Sequence, residues 1–533
     1  MTSTDSKDVD LSVEMAALDT EQGDKLEVTD GPVPAASMGT AYDQRDMQVM
    51  GKLQELRRNF RFISILGFAC TLMSTWELVL ASTAFSLMNG GSAGLIWTFV
   101  IVVAGYSFVF ASLSEMASMA PTSGGQYHWV SEFAPRRFQR FMSYMTGWVC
   151  VWGWLAGIAG VCFFTAQLLE ALVILNHPNF VPQPYHATLL IIAIAAFSII
   201  FNTFLARKLP LVEAILLLIH ICGFFAILIP LWVLAPRANA KEVFTTFNNG
   251  GGWNSQGTSA LVGILTAVIS LTGSDSAAHM SEETKDAGVV LPRSIMWSIV
   301  VNGSLGFVML VTFCFTLGDL DSILASPTGS PLVQVFYNTT DSYGGANTMT
   351  AIIIITLIAS AISTIATCSR QLWAFARDKG LPFSGVLAHV YHGWDIPLNA
   401  IFMSFVVTAI LSLINLGSTV AIQAVSSLSA SLLLTSYMVS ISTLLLRRLT
   451  GPNLPPRRWT LGKWGAPINI IALCFLSVFW IFSFFPPTAV VTTQTMNWNA
   501  LMFAIIVIVA TVYYLFKARF EYVGPVMLVK RDS

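Results

Sequence analysis

Two short stretches place polar groups where the surrounding sequence is almost wholly apolar: Ser74-Thr75-Trp76-Glu77 and Thr272-Gly273-Ser274-Asp275. Each sets a hydroxyl three residues ahead of an acid, the capping-box spacing that restarts a helix. A carboxylate or a helix break inside a hydrophobic span is costly, and such features usually line a cavity. A helix broken there leaves carbonyls at one half-helix end and N–H groups at the next. That pair of poles suits a zwitterion. Glu77 and Asp275 add negative charge that favours an amine, and Trp76 offers an aromatic face to a cation. The alternative is that both acids only cap their half-helices.

Other residues bear on the same chemistry. His220 is a histidine deep in an apolar run, with Glu213 seven residues earlier on roughly the same face, a candidate proton-coupling pair. Trp148, Trp152 and Trp154 fall in one span; Trp152 is taken as the cavity-lining residue, sharing a face with Trp148. His279, Glu282 and Glu283 follow the second polar break and are candidates for a gate paired with arginines, as is Glu115 before Pro121-Thr-Ser-Gly-Gly-Gln-Tyr127. The seven cysteines lie in predicted spans with no CxxC pair, so they read as packing residues, and no metal site or cofactor is expected.

The elements that must position these groups are long apolar helices. The chain has 533 residues, 55% of them hydrophobic and 11% charged, with a mean hydropathy of +0.68, far from soluble composition. Twelve runs of membrane-spanning length give an all-α polytopic membrane protein, with the lipid bilayer as its solvent and no nucleic-acid partner. The first run covers 62–88 and the sixth 258–280. Residues 1–50 carry eleven Asp/Glu against three Lys/Arg and read as a disordered acidic tail. Lys7 and Lys25 in this tail are candidate ubiquitin sites. The twelve-helix unit takes residues 51–520, and 521–533 form a short C-terminal tail.

Of 28 Lys/Arg, 23 fall in the flank 51–61, the alternate loops and the C-terminal tail if both termini are cytoplasmic; only Arg237 and Lys241 fall outside. The same orientation puts Asn338-Thr-Thr340 in an outer loop, as a candidate glycosylation site. From Arg61 to Ser74, and from Ser259 to Thr272, the chain runs roughly 20 Å at about 1.5 Å per residue, so each break lies near mid-bilayer. The two approach from opposite sides, five spans apart, as in an inverted-repeat transporter. Repeat one is then about 62–235, repeat two about 258–446, and the peripheral helices about 467–516.

Three motifs in order resemble the amino acid–polyamine–organocation superfamily, and within it the fungal amino acid/choline transporter branch with its GABA and choline permeases. They are Pro-Thr-Ser-Gly-Gly-Gln-Tyr from Pro121, Ser-Glu-Glu-Thr-Lys-Asp-Ala from Ser281 with Pro292-Arg293, and Arg370-Gln-Leu-Trp-Ala-Phe-Ala-Arg-Asp-Lys-Gly-Leu-Pro382. The resemblance covers about residues 55–520. It implies a LeuT-like 5+5 inverted repeat with discontinuous helices 1 and 6, and secondary active uptake of an amino acid, GABA, choline or related amine. Coupling would be to protons, with sodium as the alternative ion. Two departures, Leu-Met-Ser-Thr-Trp-Glu at the first break and Leu271-Thr272 where many members carry an aromatic gate, leave room for a ω-amino acid or a quaternary amine. The plasma membrane is the expected location, the vacuolar membrane the alternative. An exporter of an amine-bearing metabolite and a non-transporting sensor remain the rival readings. An enzyme would need clustered catalytic side chains, and the seven histidines are scattered.

Overall fold

The structure, a computed structural model, describes residues 38–391, 395–417 and 419–525; Lys7 and Lys25 lie outside them. Among the described residues, twelve helical spans are long and apolar enough to cross a membrane. The first is Phe62–Ala81, the third Gln139–Asn176, the sixth Gln256–His279, the eighth Tyr343–Arg377 and the tenth Ala424–Thr450. Among the described residues the only β-pairing is two isolated bridges, Phe60 with Thr284 and Asn89 with Asn249. In lipid each span must satisfy its own backbone, which is why this composition folds as helix.

The spans pack as two equivalent sets. The first packs on the sixth, the second on the seventh, the third on the eighth and the fourth on the ninth. The first–fifth contact is matched by sixth–tenth, first–seventh by sixth–second, and third–tenth by eighth–fifth. This is the 5+5 inverted repeat the sequence led us to expect, with broken helices at its centre. In the most apolar stretch of the first span 83% of residues are buried, against 28% for the eleventh (Gly462–Phe482) and 17% for the twelfth (Asn499–Glu521). The fifth span, Ala206–Leu234, is equally little buried at 28%, so low burial alone does not set the last two spans apart.

The acidic tail differs from expectation in its last part. Ala41–Val49 is a helix, started by a Thr40–Asp43 capping box, with Asp43 and Met47 buried. Its anchor is tertiary. Asp43 accepts from the backbone N–H of Asp286 (2.8 Å) and Ala287 (2.9 Å), at the start of the seventh span, and pairs with Arg58 at 3.3 Å. A helix N-terminus satisfied by a remote carboxylate holds a segment whose own composition would leave it unfolded.

Candidate functional site

The first break is one residue wide. Ser74 adopts φ 37°, ψ 51° between helices Phe62–Met73 and Thr75–Ala81. A non-glycine residue there costs on the order of 1–3 kcal/mol, so the surroundings must hold it. Ser74 Oγ donates to the Thr71 carbonyl at 2.7 Å, Ser360 Oγ to the Leu72 carbonyl, and Asn302 Nδ2 to the Cys70 carbonyl at 3.1 Å. Carbonyls around the break are thus taken by the eighth and seventh spans. The expected capping box is absent: Ser74 makes no side-chain cap bond, because its hydroxyl turns back as a donor.

In the sixth span, helix Leu265–Leu271 ends at an extended Thr272 (ψ 137°) and resumes at Ser276–His279. Gly273 has φ +120°, and a Cβ added to it would lie 2.7 Å from Leu72 Cδ2 beside the first break. Here glycine is required by conformation, and a larger side chain would also displace the Leu72 side chain. Thr272 does not cap either. It donates to the Val268 carbonyl at 2.7 Å and shares a 2.6 Å bond with Tyr106 Oη. Thr75 Oγ1 donates to the Ser270 carbonyl at 2.7 Å, tying the two breaks directly together.

Between the breaks lies a cavity of about 70 Å³, lined by Leu72, Met73, Trp154, Thr272, Ser360, Thr364 and Leu433 among others, with no charged side chain. The third and tenth spans form its far wall by close approach: a Cβ on Gly157 would meet Ser429 Oγ at 3.1 Å, and one on Gly160 would meet Ser426 Oγ at 2.8 Å. A second cavity of about 330 Å³ continues from it towards loop 327–331 and residues 485–497, sharing Phe164, Ile269 and Ser426 with the first.

Of the residues expected to hold substrate, Thr272 lines the central cavity, and Gly273 faces Leu72 and Trp154 beside it. Ser74, Thr75, Trp76 and Glu77 turn elsewhere. Trp76 packs against His220 and Phe224, and Ser274 Oγ bonds Ser298 Oγ at 2.7 Å. Trp152 is half-buried and lines neither cavity, whereas Trp154 lines the central one. Asp275 is fully buried behind that wall, accepting from Gln126 Nε2 at 2.6 Å and from Tyr437 Oη. His279 is buried next to it rather than at an edge. Trp154 Nε1 donates to His279 Nε2 at 3.2 Å, which assigns the ring proton to Nδ1, 3.0 Å from the Ser123 carbonyl.

The coupling candidates separate. His220 Nδ1 lies 2.7 Å from Glu77 Oε1, both side chains fully buried, and His220 Nε2 and Glu77 Oε2 have no partner. Glu213 instead accepts from Ser363 Oγ at 2.8 Å, and its Oε2 is likewise unpaired. The His220–Glu213 pair suggested by spacing is therefore two sites, each bonded to a different span.

The face that carries the N-terminal helix is closed by ion pairs. Glu282 meets Arg377 bidentately (2.7 and 2.9 Å) and Glu283 meets Arg370 at 2.7 Å. Glu115 is clasped by Arg448 and by Arg457 at 2.9 Å. Lys52 pairs with Asp378 at 3.0 Å, and Tyr127 Oη donates to the same carboxylate at 2.8 Å. Burial would raise the Glu282 carboxyl, yet Arg377, Lys52 and Arg58 hold it below the usual range. Sequence reading missed Lys52, Arg58, Asp378, Tyr437 and Ser360. Among the residues that build this side, Gln126 and Asp378 carried a signal, inside the Gly-Gly-Gln-Tyr and Arg370–Pro382 motifs.

Twelve spans, opposed breaks and a cavity between them define an inverted-repeat membrane transporter. The chain belongs to the amino acid permease family, whose pattern spans residues 60–510. A putative amino acid/polyamine transporter of Macrophomina phaseolina is 30% identical over 439 residues, 82% of this chain and 97% of that one. An uncharacterized amino-acid permease of Schizosaccharomyces pombe is 30% identical, covering 91% of this chain and 90% of its own. The choline transporter of Saccharomyces cerevisiae is 29% identical, over 88% of this chain and 83% of that one. A solved manganese transporter of Eremococcus coleocola aligns with 95% of this chain and 99% of its own, at 13% identity and a TM-score of 0.48.

Proposed function

We propose that this permease takes up a small amine (an amino acid, GABA, choline or a relative) by proton-coupled alternating access at the plasma membrane. The observation that carries the reading is the cavity between the two breaks, walled by Trp154 and adjoining a larger cavity with which it shares Phe164, Ile269 and Ser426. The opposite side is shut by Glu282–Arg377, Glu283–Arg370 and Lys52–Asp378. In this reading those pairs are the inner gate on the cytoplasmic face, and the 330 Å³ cavity is the outer vestibule. Trp154 supplies an aromatic face for an ammonium group, and Thr272, Ser360 and Thr364 supply hydroxyls.

Proton coupling is assigned to the buried Glu77–His220 pair, because a bond from the fifth span lands three residues past the first break. Protonation there biases the helix that moves. Glu213 is a second, separate carrier candidate. Asn338, exposed on helix Pro331–Thr340, suits glycan attachment on the outer face.

The test is uptake by cells expressing the chain, with GABA, choline, neutral and basic amino acids and polyamines. One amine accumulates, faster at acidic external pH, and accumulation collapses with a protonophore. A sodium requirement without pH response would remove the proton assignment.

A further inference from the structure

We infer that Glu170 is the docking residue in the vestibule, the carboxylate that receives the substrate's ammonium group before it passes to the central cavity. The inference rests on the amine-permease reading and adds the residue that selects for cations. Glu170 lines the 330 Å³ cavity and is the only charged side chain among the described residues lining either cavity. Its Oε1 is buried from solvent and has no hydrogen-bond partner. A carboxylate oxygen left this way is costly until a donor or cation arrives.

Its surroundings suit an organic cation better than a metal. Phe85, Phe164 and Phe485 share the cavity, and its other polar side chains, the amides of Gln167 and Asn497 and several Ser/Thr hydroxyls, are all neutral. Aromatic faces with one carboxylate are the chemistry that holds ammonium groups, whereas Ca²⁺ or Mg²⁺ asks for six or more oxygens including several carboxylates or waters. The titratable neighbour whose charge reaches Glu170 is His186. That ring is engaged elsewhere: its Nδ1 accepts from the Gln183 N–H at 3.1 Å, and it stacks against Phe180.

The third span supplies a track from this carboxylate to the centre. Trp154, Gly157, Val161, Phe164, Leu168 and Ala171 follow one another at helical spacing along the cavity-lining face. From Glu170 to Phe164 is roughly 9 Å along the axis, and to Trp154 roughly 24 Å. An ammonium group released by Glu170 therefore meets Phe164, at the junction of the two cavities, and then the Trp154 face.

The experiment compares Glu170→Gln and Glu170→Asp with wild type at matched surface levels. It reads choline uptake kinetics and competition by choline against its neutral isostere 3,3-dimethyl-1-butanol. Glu170→Gln is expected to raise KM about tenfold with Vmax held, and to erase the preference for the cation over the isostere. Glu170→Asp keeps the preference. An unchanged KM and preference, or an equal loss of KM and Vmax for charged and neutral compounds alike, overturns the assignment and leaves the permease reading standing. If wild type neither takes up choline nor is inhibited by it, this inference falls; if it accumulates no amine of the panel, the permease reading falls as well.

Discussion

Trp154 Nε1 and His279 Nε2 lie 3.2 Å apart, joining the wall of the central cavity to the half-helix beyond the sixth-span break. His279 Nε2 also lies 3.5 Å from Asp275 Oδ2, a carboxylate that Gln126 and Tyr437 hold. Whatever rests against Trp154 is therefore one hydrogen bond away from the half-helix beyond the sixth-span break.

Trp154→Phe keeps an aromatic ring in the cavity but removes the donor. The lost bond to His279, worth about 0.5–1.5 kcal/mol, orients the ring that presents the aromatic face, so KM for the transported amine should rise, by at most roughly tenfold. Trp152→Phe, half-buried and away from both cavities, should leave it unchanged. Concentration-dependent uptake by the two variants checks the choice between these neighbours.

His220→Gln removes the imidazole from Glu77. Breaking a buried pair costs on the order of 3–5 kcal/mol when it is charged, so a thermal shift of the purified protein is expected. The specific readout is the pH profile. Uptake by His220→Gln should no longer rise as external pH falls, whereas Glu213→Gln should keep part of that response. Equal pH profiles in wild type and His220→Gln would take the pair out of coupling.

Arg377→Ala leaves Glu282 buried without its guanidinium. The closed side should open more often, which is read as faster labelling of Ser123→Cys by an impermeant thiol reagent applied to the face bearing the N-terminal helix. Ser123 is buried beneath the gate, its hydroxyl unpaired. Unchanged labelling would mean the Glu282–Arg377 pair does not hold the gate.

The N-terminal helix should dock more firmly in mild acid. Burial, with the Asp43 carboxylate adding to it, pushes Asp46 from its ordinary 3.8 up to about 6 against Arg458 and Arg58. A carboxyl with a raised folded-state value binds its proton more tightly when docked. The stability it contributes is therefore present below its ordinary value and lost as pH rises from about 4 to about 6. Protection factors of the Ala41–Val49 amides should be higher at pH 5 than at pH 7. Asp46→Asn should flatten that difference.

The breaks were legible because polar residues and a glycine interrupt apolar runs, and a lipid-exposed break has no way to satisfy its backbone. The spacing of the two breaks, five spans apart, then gave the repeat. Side-chain direction was not legible. Glu77 and Asp275 sit three residues after a hydroxyl, but their partners, His220 and Tyr437, lie 143 and 162 residues away. Trp152 and Trp154 are two residues apart, roughly 200° around a helix at about 3.6 residues per turn, and pairing Trp152 with Trp148 favoured the face turned away from the cavity. Helix Ala41–Val49 escaped notice because what fixes it, Asp43 on the Asp286 and Ala287 amides, is contact across 243 and 244 residues.

Gly273→Leu tests the central site most directly. The substitution places a side chain at φ +120° and against Leu72 and Trp154, which line the central cavity. Uptake of the transported amine should be abolished while the protein still reaches the cell surface. Normal uptake kinetics in Gly273→Leu at normal surface levels would contradict a substrate site between the two breaks.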